Sequence, residues 1–235
     1  MQFSVVIPVF NEVGSLKILQ ERLDRVMQGF PAGYEIIYVD DGSRDASLGV
    51  LKALKESFPA IRIISFKENR GQSAAFYAGF KAARGEWIIT LDADGQNPPE
   101  EIIRLLEFYQ QFDFVTGVRK KRSDSLRRKI ASRVAKFFCR LVLGDLTQDV
   151  GCSLRIFRRK IVEAIPFFRN FHRFFTFLVK EAGFSVKEVP VAHHRRAAGK
   201  SKYSDWKRLK EGIVDLRGVA WLRKRLIKYE VKYEA

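Results

Sequence analysis

The first hundred residues switch repeatedly between two hydrophobic periods. Phe3 to Val9 is an apolar run of strand length, and after Phe10-Asn11-Glu12 the apolar positions Leu16, Leu19, Leu23 and Val26 recur at helical spacing. The exchange repeats. A run from Tyr34 to Val39 stops at Asp40-Asp41-Gly42-Ser43, and Leu48, Leu51 and Leu54 mark a helix behind it. Strand, crossover helix and strand make a βαβ unit, which predicts parallel pairing. A third strand, Ile61 to Phe66, leads through Asn69-Arg70-Gly71 into a helix whose Ala74, Ala75, Ala78, Gly79, Ala82 and Ala83 permit close packing. Arg84-Gly85-Glu86 ends that helix, and Trp87 to Leu91 reads as a buried fourth strand, closed by Gly95, Pro98 and Pro99. Beyond it, Asp113 to Arg119 and Val186 to Val191 read as strands and Ile156-Phe157 as strand-like. Leu126 to Leu143 reads as a helix, and Trp206 onward as one or two basic amphipathic helices. The fold class is therefore α/β, a mostly parallel sheet flanked by helices.

Polar clusters close these strands: Asn11-Glu12, Asp40-Asp41, then Asp92 and Asp94 in Leu91-Asp-Ala-Asp-Gly-Gln-Asn-Pro-Pro99. Asp92 and Asp94 lie two apart with Ala93 between them, so on extended backbone they face the same way. Oxygen ligands of this kind suit Mg²⁺ or Mn²⁺, which keep waters and complete their shell with substrate phosphates. An acidic turn capping the next helix is the competing reading. Three such clusters at equivalent strand ends favour a ligand site, because open parallel sheets bind ligands beyond the carboxyl ends of their strands.

Length and composition change the picture only at its limits. A chain of 235 residues with 46% hydrophobic content supports one globular unit. Cys139 and Cys152, without metal-ligand spacing, argue against a disulfide framework or structural zinc and for a reducing, cytosolic location. The opening Met-Gln-Phe-Ser-Val-Val-Ile-Pro8 has no basic leader and is interrupted early, so it reads as a strand and not as a signal peptide. No segment approaches the roughly 18 to 20 apolar residues that span a bilayer. Net charge is +16, unevenly placed: residues 1–118 hold 12 Lys and Arg against 16 Asp and Glu, leaving 31 against 11 for residues 119–235. A basic half of this kind serves nucleic acid, an anionic membrane surface or a phosphorylated substrate. A Ser/His/Asp hydrolase is set aside, since His172, His193 and His194 are the three histidines and none sits in a nucleophile motif. His193 and His194 open a basic loop and read as phosphate contacts or surface.

Val5-Val-Ile-Pro-Val-Phe-Asn-Glu12, Val39-Asp-Asp-Gly-Ser43, Asn69-x-Gly71 and Asp92-Ala-Asp-Gly-Gln-x-Pro-Pro99, in that order, resemble the motifs of inverting glycosyltransferases of family 2 with the GT-A (Rossmann-like) fold. Within that family the chain is similar to the dolichol-phosphate mannosyltransferase and polyprenyl-phosphate glycosyltransferase group over about residues 3–203. The resemblance implies a GT-A domain at 1–203 and a C-terminal amphipathic segment at 204–235 that meets a membrane surface or a partner. It implies a nucleotide sugar, GDP-mannose or a UDP-hexose, against Pro8, Phe10, Glu12, Val39, Asp41, Asp92 and Ala93. Asp92, Asp94 and Gln96 are then the metal ligands for Mg²⁺ or Mn²⁺, with Asp94 and Asp149 as catalytic carboxylates. Phe10 departs from the Tyr often found before Asn-Glu, and Gly95 replaces a common Leu.

The same resemblance assigns Arg119, Arg133 and Arg196 to the acceptor phosphate, the last in the loop Arg196-Ala-Ala-Gly-Lys-Ser-Lys-Tyr203. Guanidinium groups grip phosphate bidentately. Surface charge is the plainer reading of Arg119 and Arg133. Asp149 opens Asp149-Val-Gly-Cys-Ser-Leu-Arg155 and is read as the carboxylate that orients the sugar or acts as base, with a helix N-cap as the competing role. The helix at 126–143 and the segment from Trp206, with Trp221 among Lys and Arg, fit a membrane interface or a solvated basic face. The expected protein is peripheral on the cytosolic side of a membrane, with a membrane-protein partner as one route of anchoring. Two competing functions remain: a family 2 transferase with a saccharide or other lipid acceptor, and a nucleic-acid-binding protein. The latter leaves the acidic strand ends unexplained and lacks any recognition motif.

Overall fold

The computed structural model describes residues 1–30, 33–119, 138–145, 147–194 and 205–226. Seven strands form one sheet in the order β3-β2-β1-β4-β6-β5-β7. They are β1 (Phe3–Val9), β2 (Tyr34–Asp40), β3 (Ile61–Ser65), β4 (Trp87–Thr90), β5 (Phe114–Arg119), β6 (Arg155–Arg158) and β7 (Val186–Val191). All neighbours pair in parallel except β6, which runs antiparallel to both β4 and β5. The sheet is thus mostly parallel, as the alternation of strand and helix predicts. The short β6 restores the direction of β4 in β5, so the carboxyl ends of β1, β2, β4 and β5 share one edge.

Strand periodicity sorts the core into two faces. Phe3, Val5, Ile7 and Val9 of β1 join Ile36 and Tyr38 of β2 in one buried cluster with Leu16, Leu19, Leu23 and Met27 of α1 (Leu16–Met27) and Leu51 and Leu54 of α2 (Ser47–Ser57). The alternate residues Val6 and Val39 face the other way, toward Gly79 of α3 (Gln72–Ala82). That second face continues as an aromatic cluster. Phe114 and Phe157, cross-strand neighbours on β5 and β6, stack at 5.7 Å, and Phe80, Phe171 and Phe175 close around them edge to face or tilted at 5.0 to 6.3 Å. Burial of this much apolar surface on both faces fixes the register of every strand.

Close approach of α3 to β1 depends on Gly79. A Cβ there meets Val6 Cγ1 at 2.3 Å, and Val6 is fully buried on a central strand. Gly79→Ala gains up to about 1 kcal/mol of helix propensity, but overpacking a closed core costs about 1–3 kcal/mol, so net destabilisation is expected. Gly49→Ala on α2, where a Cβ meets nothing within 4 Å, shows the propensity gain alone and stabilises. Urea midpoints of the two variants test the pair; equal shifts of the same sign contradict the packing of α3.

The chain divides into two compact units, Met1–Ser123 with Thr147–Lys200, and Asp124–Leu146 with Ser201–Ala235. In the second unit, residues 138–143 are helical, and the helix Asp205–Arg223 is bonded to them by Arg223 Nη1, which donates to the Leu143 carbonyl at 2.9 Å. Leu143, Leu216 and Val219 are buried, while Phe138, Leu141, Ile213, Val214 and Trp221 are exposed. The helix read from Leu126 is described only from residue 138. Among the described residues no helix is long and apolar enough to cross a membrane. Cys139 and Cys152 are free thiols, and burial pushes the Cys152 thiol up to about 11.

Candidate active site

Every acidic cluster read from the sequence lies at the shared sheet edge of the first unit. After β1, Asn11 takes left-handed backbone (φ 54°), which Asn tolerates better than most residues. Its Oδ1 accepts from Arg44 N at 2.7 Å, its own N–H donates to Ser43 Oγ at 3.0 Å, and Glu12 N–H donates to Ser47 Oγ at 2.9 Å. The loops after β1 and β2 are thereby latched together. Pro8, Phe10 and Glu12 are half-buried beside them. Val39 and Ala93, expected on the pocket wall, are buried core residues, Val39 with its side chain toward Gly79. Period-two alternation on β2 turns Val39 inward.

Asp41 organises the loop before α3. Its Oδ1 accepts from Arg70 N at 2.7 Å, and Oδ2 accepts from Gly71 N at 2.9 Å and from Asn69 Nδ2 at 2.8 Å. Burial holds its carboxyl above the ordinary value against these bonds. Gly42 (φ 66°) lets the chain pass the same loop: a Cβ there lies 2.5 Å from the Glu68 carbonyl carbon. Asp40, one residue earlier, takes Ser65 Oγ at 2.9 Å and caps the strand end instead of facing the site.

Asp92 and Asp94 follow β4. Burial, and next the charge of Asp94, raise the Asp92 carboxyl to about 6. Asp94 is 6% exposed and its Oδ1 accepts from Gln96 N at 3.0 Å across Gly95 (φ 72°). Two carboxylates whose charges oppose each other in a buried setting are a donor set that a divalent cation relieves. Among the described residues no group of three or more His, Cys, Asp or Glu side chains stands together to hold a metal ion. Gln96 lies beside them, although its Nε2 points to the His194 carbonyl at 3.4 Å and His194 N–H donates to the Gln96 carbonyl at 2.9 Å. The start of the basic loop thus pairs with the acidic turn, a contact the sequence does not show.

Arg119 ends β5 and is tied to Asp149. Nε donates to Oδ2 at 2.6 Å, Nη2 to Oδ1 at 2.7 Å, and the Arg119 N–H adds a third bond to Oδ2 at 3.1 Å. The side chains are 13% and 6% exposed, so Arg119 is not surface charge. Burial works against its cation, and the bond to Asp149 more than compensates, raising the pKa. Asp149 also takes the Gly151 N–H at 3.2 Å. Arg133, Arg196 and the Gly-Lys-Ser-Lys loop lie outside the described residues.

Four side chains that carry no individual role in the sequence reading support the site, Ser153 and Arg155 among them as part of the Asp149–Arg155 stretch. Gln72 Nε2 donates to Asp92 Oδ1 at 2.8 Å. Ser153 accepts from Asn97 Nδ2 at 2.7 Å and favours the ionised form of Asp92. Arg155, 3% exposed, faces Asp92 and Asp149, bonds through Nη2 to the His172 carbonyl at 3.2 Å and lies over the Phe175 ring at 5.5 Å. His172 Nδ1 lies 2.8 Å from Ser73 Oγ. This pair is no hydrolase dyad, because burial and the nearby Arg173 and Arg155 push the imidazole down to about 3, too weak a base at neutral pH.

Comparison with known proteins bears on the family and the fold. Residues 4–165 match the family described as Glycosyl transferase family 2. A relative from Pseudomonas paraeruginosa, undecaprenyl-phosphate 4-deoxy-4-formamido-L-arabinose transferase, is 43% identical over 203 residues, 86% of this chain and 60% of the relative. The chain therefore spans about three fifths of that relative's length. Among solved structures, mannosyl-3-phosphoglycerate synthase from Rubrobacter xylanophilus superposes with a TM-score of 0.75 at 15% identity, covering 100% of this chain and 79% of that one. Glucosyl-3-phosphoglycerate synthase from Mycobacterium tuberculosis, solved with Mn²⁺, UDP and phosphoglyceric acid, gives 0.70 at 14% identity, covering 97% and 80%. At these identities the likeness shows the GT-A fold.

Proposed function

The chain belongs to glycosyl transferase family 2, and we propose that it moves a sugar from a nucleotide sugar to a polyprenyl phosphate with inversion at the anomeric carbon. The observation that carries this reading is the common edge at which the acidic ends of β1, β2 and β4 meet Arg119 at the end of β5. Anionic side chains serve the metal-bound pyrophosphate of a donor, and a buried guanidinium serves an anionic acceptor. The 43% identical relative is named for transfer to undecaprenyl phosphate, which favours a lipid phosphate over a saccharide acceptor.

In this reading Asp92 and Asp94, with Gln96, hold Mg²⁺ or Mn²⁺. When bound, the ion neutralises charge on the departing nucleoside diphosphate. The chain's own residues do the rest. Asp41 and Glu12 shape the nucleoside end of the cleft through the latched loops after β1 and β2. Arg119 aligns the acceptor phosphate for in-line attack; Asp149 occupies its Nε and Nη2, which leaves Nη1 to meet the phosphate. A bond forms between a phosphate oxygen and the anomeric carbon while the bond to the pyrophosphate oxygen breaks. The phosphate oxygen is already anionic at neutral pH, so no proton needs removal. Asp149 is then an orienter of Arg119 and not a base.

The second unit supports a peripheral position on a membrane. From 124–146 and 201–235 it carries 16 Lys and Arg against 7 Asp and Glu, and Val214 and Trp221 lie opposite the buried Leu216 and Val219 on one helix. Charge with an exposed Trp suits an anionic lipid surface.

The test is incubation of the purified chain with Mn²⁺ or Mg²⁺, a short polyprenyl phosphate and a panel of donors: UDP-glucose, GDP-mannose and UDP-linked 4-deoxy-4-formamido-L-arabinose. Lipid-linked sugar of inverted configuration is expected from one donor. Transfer to a free saccharide in preference to the lipid phosphate, or no transfer from any nucleotide sugar, overturns the reading.

A further inference from the structure

Gln72 is the first residue of α3, and its carboxamide reaches the end of β4, where Nε2 meets Asp92 Oδ1 at 2.8 Å. We propose that Gln72 is a positioning residue for Asp92 and that Asp41 acts through it, so that one chain of hydrogen bonds sets the nucleotide end and the metal end of the site together. The inference rests on the donor-site reading given above.

Asp92 stands past the last residue of β4, beyond the ladder that fixes the strand. Among the described residues its carboxylate takes a side-chain hydrogen bond from Gln72, and Ser153 favours its ionised form. A neutral amide is well suited to this position, because it fixes the carboxylate without cancelling the charge a cation needs, which a lysine at position 72 would do. The position of Gln72 is itself determined. Asp41 binds the N–H groups of Arg70 and Gly71 and the side chain of Asn69, and Gly71 holds φ 90°, a conformation that favours glycine. Three consecutive residues clasped at β2 thus lead directly into Gln72. On its other side, Ser73 Oγ is held by His172 Nδ1 at 2.8 Å, and the His172 carbonyl takes Arg155. The start of α3 is pinned from both directions.

Partners that orient a metal ligand typically contribute about 10–100-fold in metal affinity. Gln72→Met keeps length and bulk and removes the donor; Gln72→Leu is the second variant. Three titrations separate the roles: Mn²⁺ alone by electron paramagnetic resonance, UDP with chelator, and UDP with Mn²⁺. The expected result is Mn²⁺ and Mn²⁺-dependent UDP binding weakened about tenfold or more, with metal-free UDP binding and the thermal midpoint unchanged. Asp41→Asn should also weaken Mn²⁺ binding, but add little in the Gln72→Met background, because both act through one path. Unchanged Mn²⁺ affinity in both Gln72 variants, with wild-type protein binding Mn²⁺ and UDP normally, overturns the inference and leaves the donor site standing. Wild-type protein that binds neither probe overturns the donor-site reading and this inference with it.

Discussion

Replacing Asp94 by alanine lowers sugar transfer by about a thousandfold or more while the protein still folds. Two opposing effects decide the second half of that statement. The variant loses the 3.0 Å bond from Gln96 N–H to Asp94 Oδ1, a net contribution of about 1 kcal/mol. It also removes the charge that helps raise the Asp92 carboxyl to about 6, which relieves repulsion in the metal-free protein. The terms offset, so the thermal midpoint without metal stays near wild type. Linkage gives a second signature. Because folding raises the Asp92 pKa from 3.8 to about 6, the unfolded chain releases its proton first as pH climbs, and metal-free stability falls across that window. In Asp94→Ala this fall is shallower. Turnover, Mn²⁺ titration and melts between about pH 4 and pH 7 check all three; near-normal turnover removes Asp94 from the metal site.

The acidic edge was legible because a parallel sheet places all its carboxyl ends together, so motifs far apart in sequence become neighbours by topology alone. Glu12, Asp41, Asp92 and Asp94 follow from that rule. Side-chain direction within the edge followed less well. The resemblance sets Val39 and Ala93 against the nucleotide, and burial of both side chains in the core leaves their main-chain atoms for such a contact. The antiparallel β6 is four residues long, too short for its alternation to reveal direction, and only its pairing with β4 and β5 shows why Arg119 ends at the same edge as Asp92. Polar partners were the least legible. Asp149 and Arg119 are 30 residues apart, and a carboxylate before Gly-Cys carries no sign of which cation it meets. Gln72 and Ser153 are neutral and common at helix starts and turns, so their role appears only once β4 and α3 are placed side by side.

Cutting the Arg119–Asp149 pair should produce the largest stability loss of any single change in the site. Removing either partner breaks a buried ion pair, which costs about 3–5 kcal/mol. Arg119→Met takes the guanidinium from Asp149, whose side chain is 6% exposed, and keeps the backbone donors of residues 119 and 151. Asp149→Ala strands Arg119 and also removes one of the two carboxylates, Asp92 and Asp149, that favour the buried Arg155 cation, so it should be the worse of the two. The double variant R119M/D149N removes both charges of the pair and keeps an acceptor for one of the two backbone N–H groups, so part of the lost stability returns. Transfer does not return with it, because no guanidinium remains at that position to align the lipid phosphate. Denaturant midpoints and the KM for polyprenyl phosphate separate these outcomes. Recovery of stability with transfer still lost identifies Arg119 as the acceptor residue and Asp149 as its support. Recovery of both, in a variant lacking the guanidinium, makes the pair purely structural and moves acceptor recognition elsewhere in the basic half of the chain.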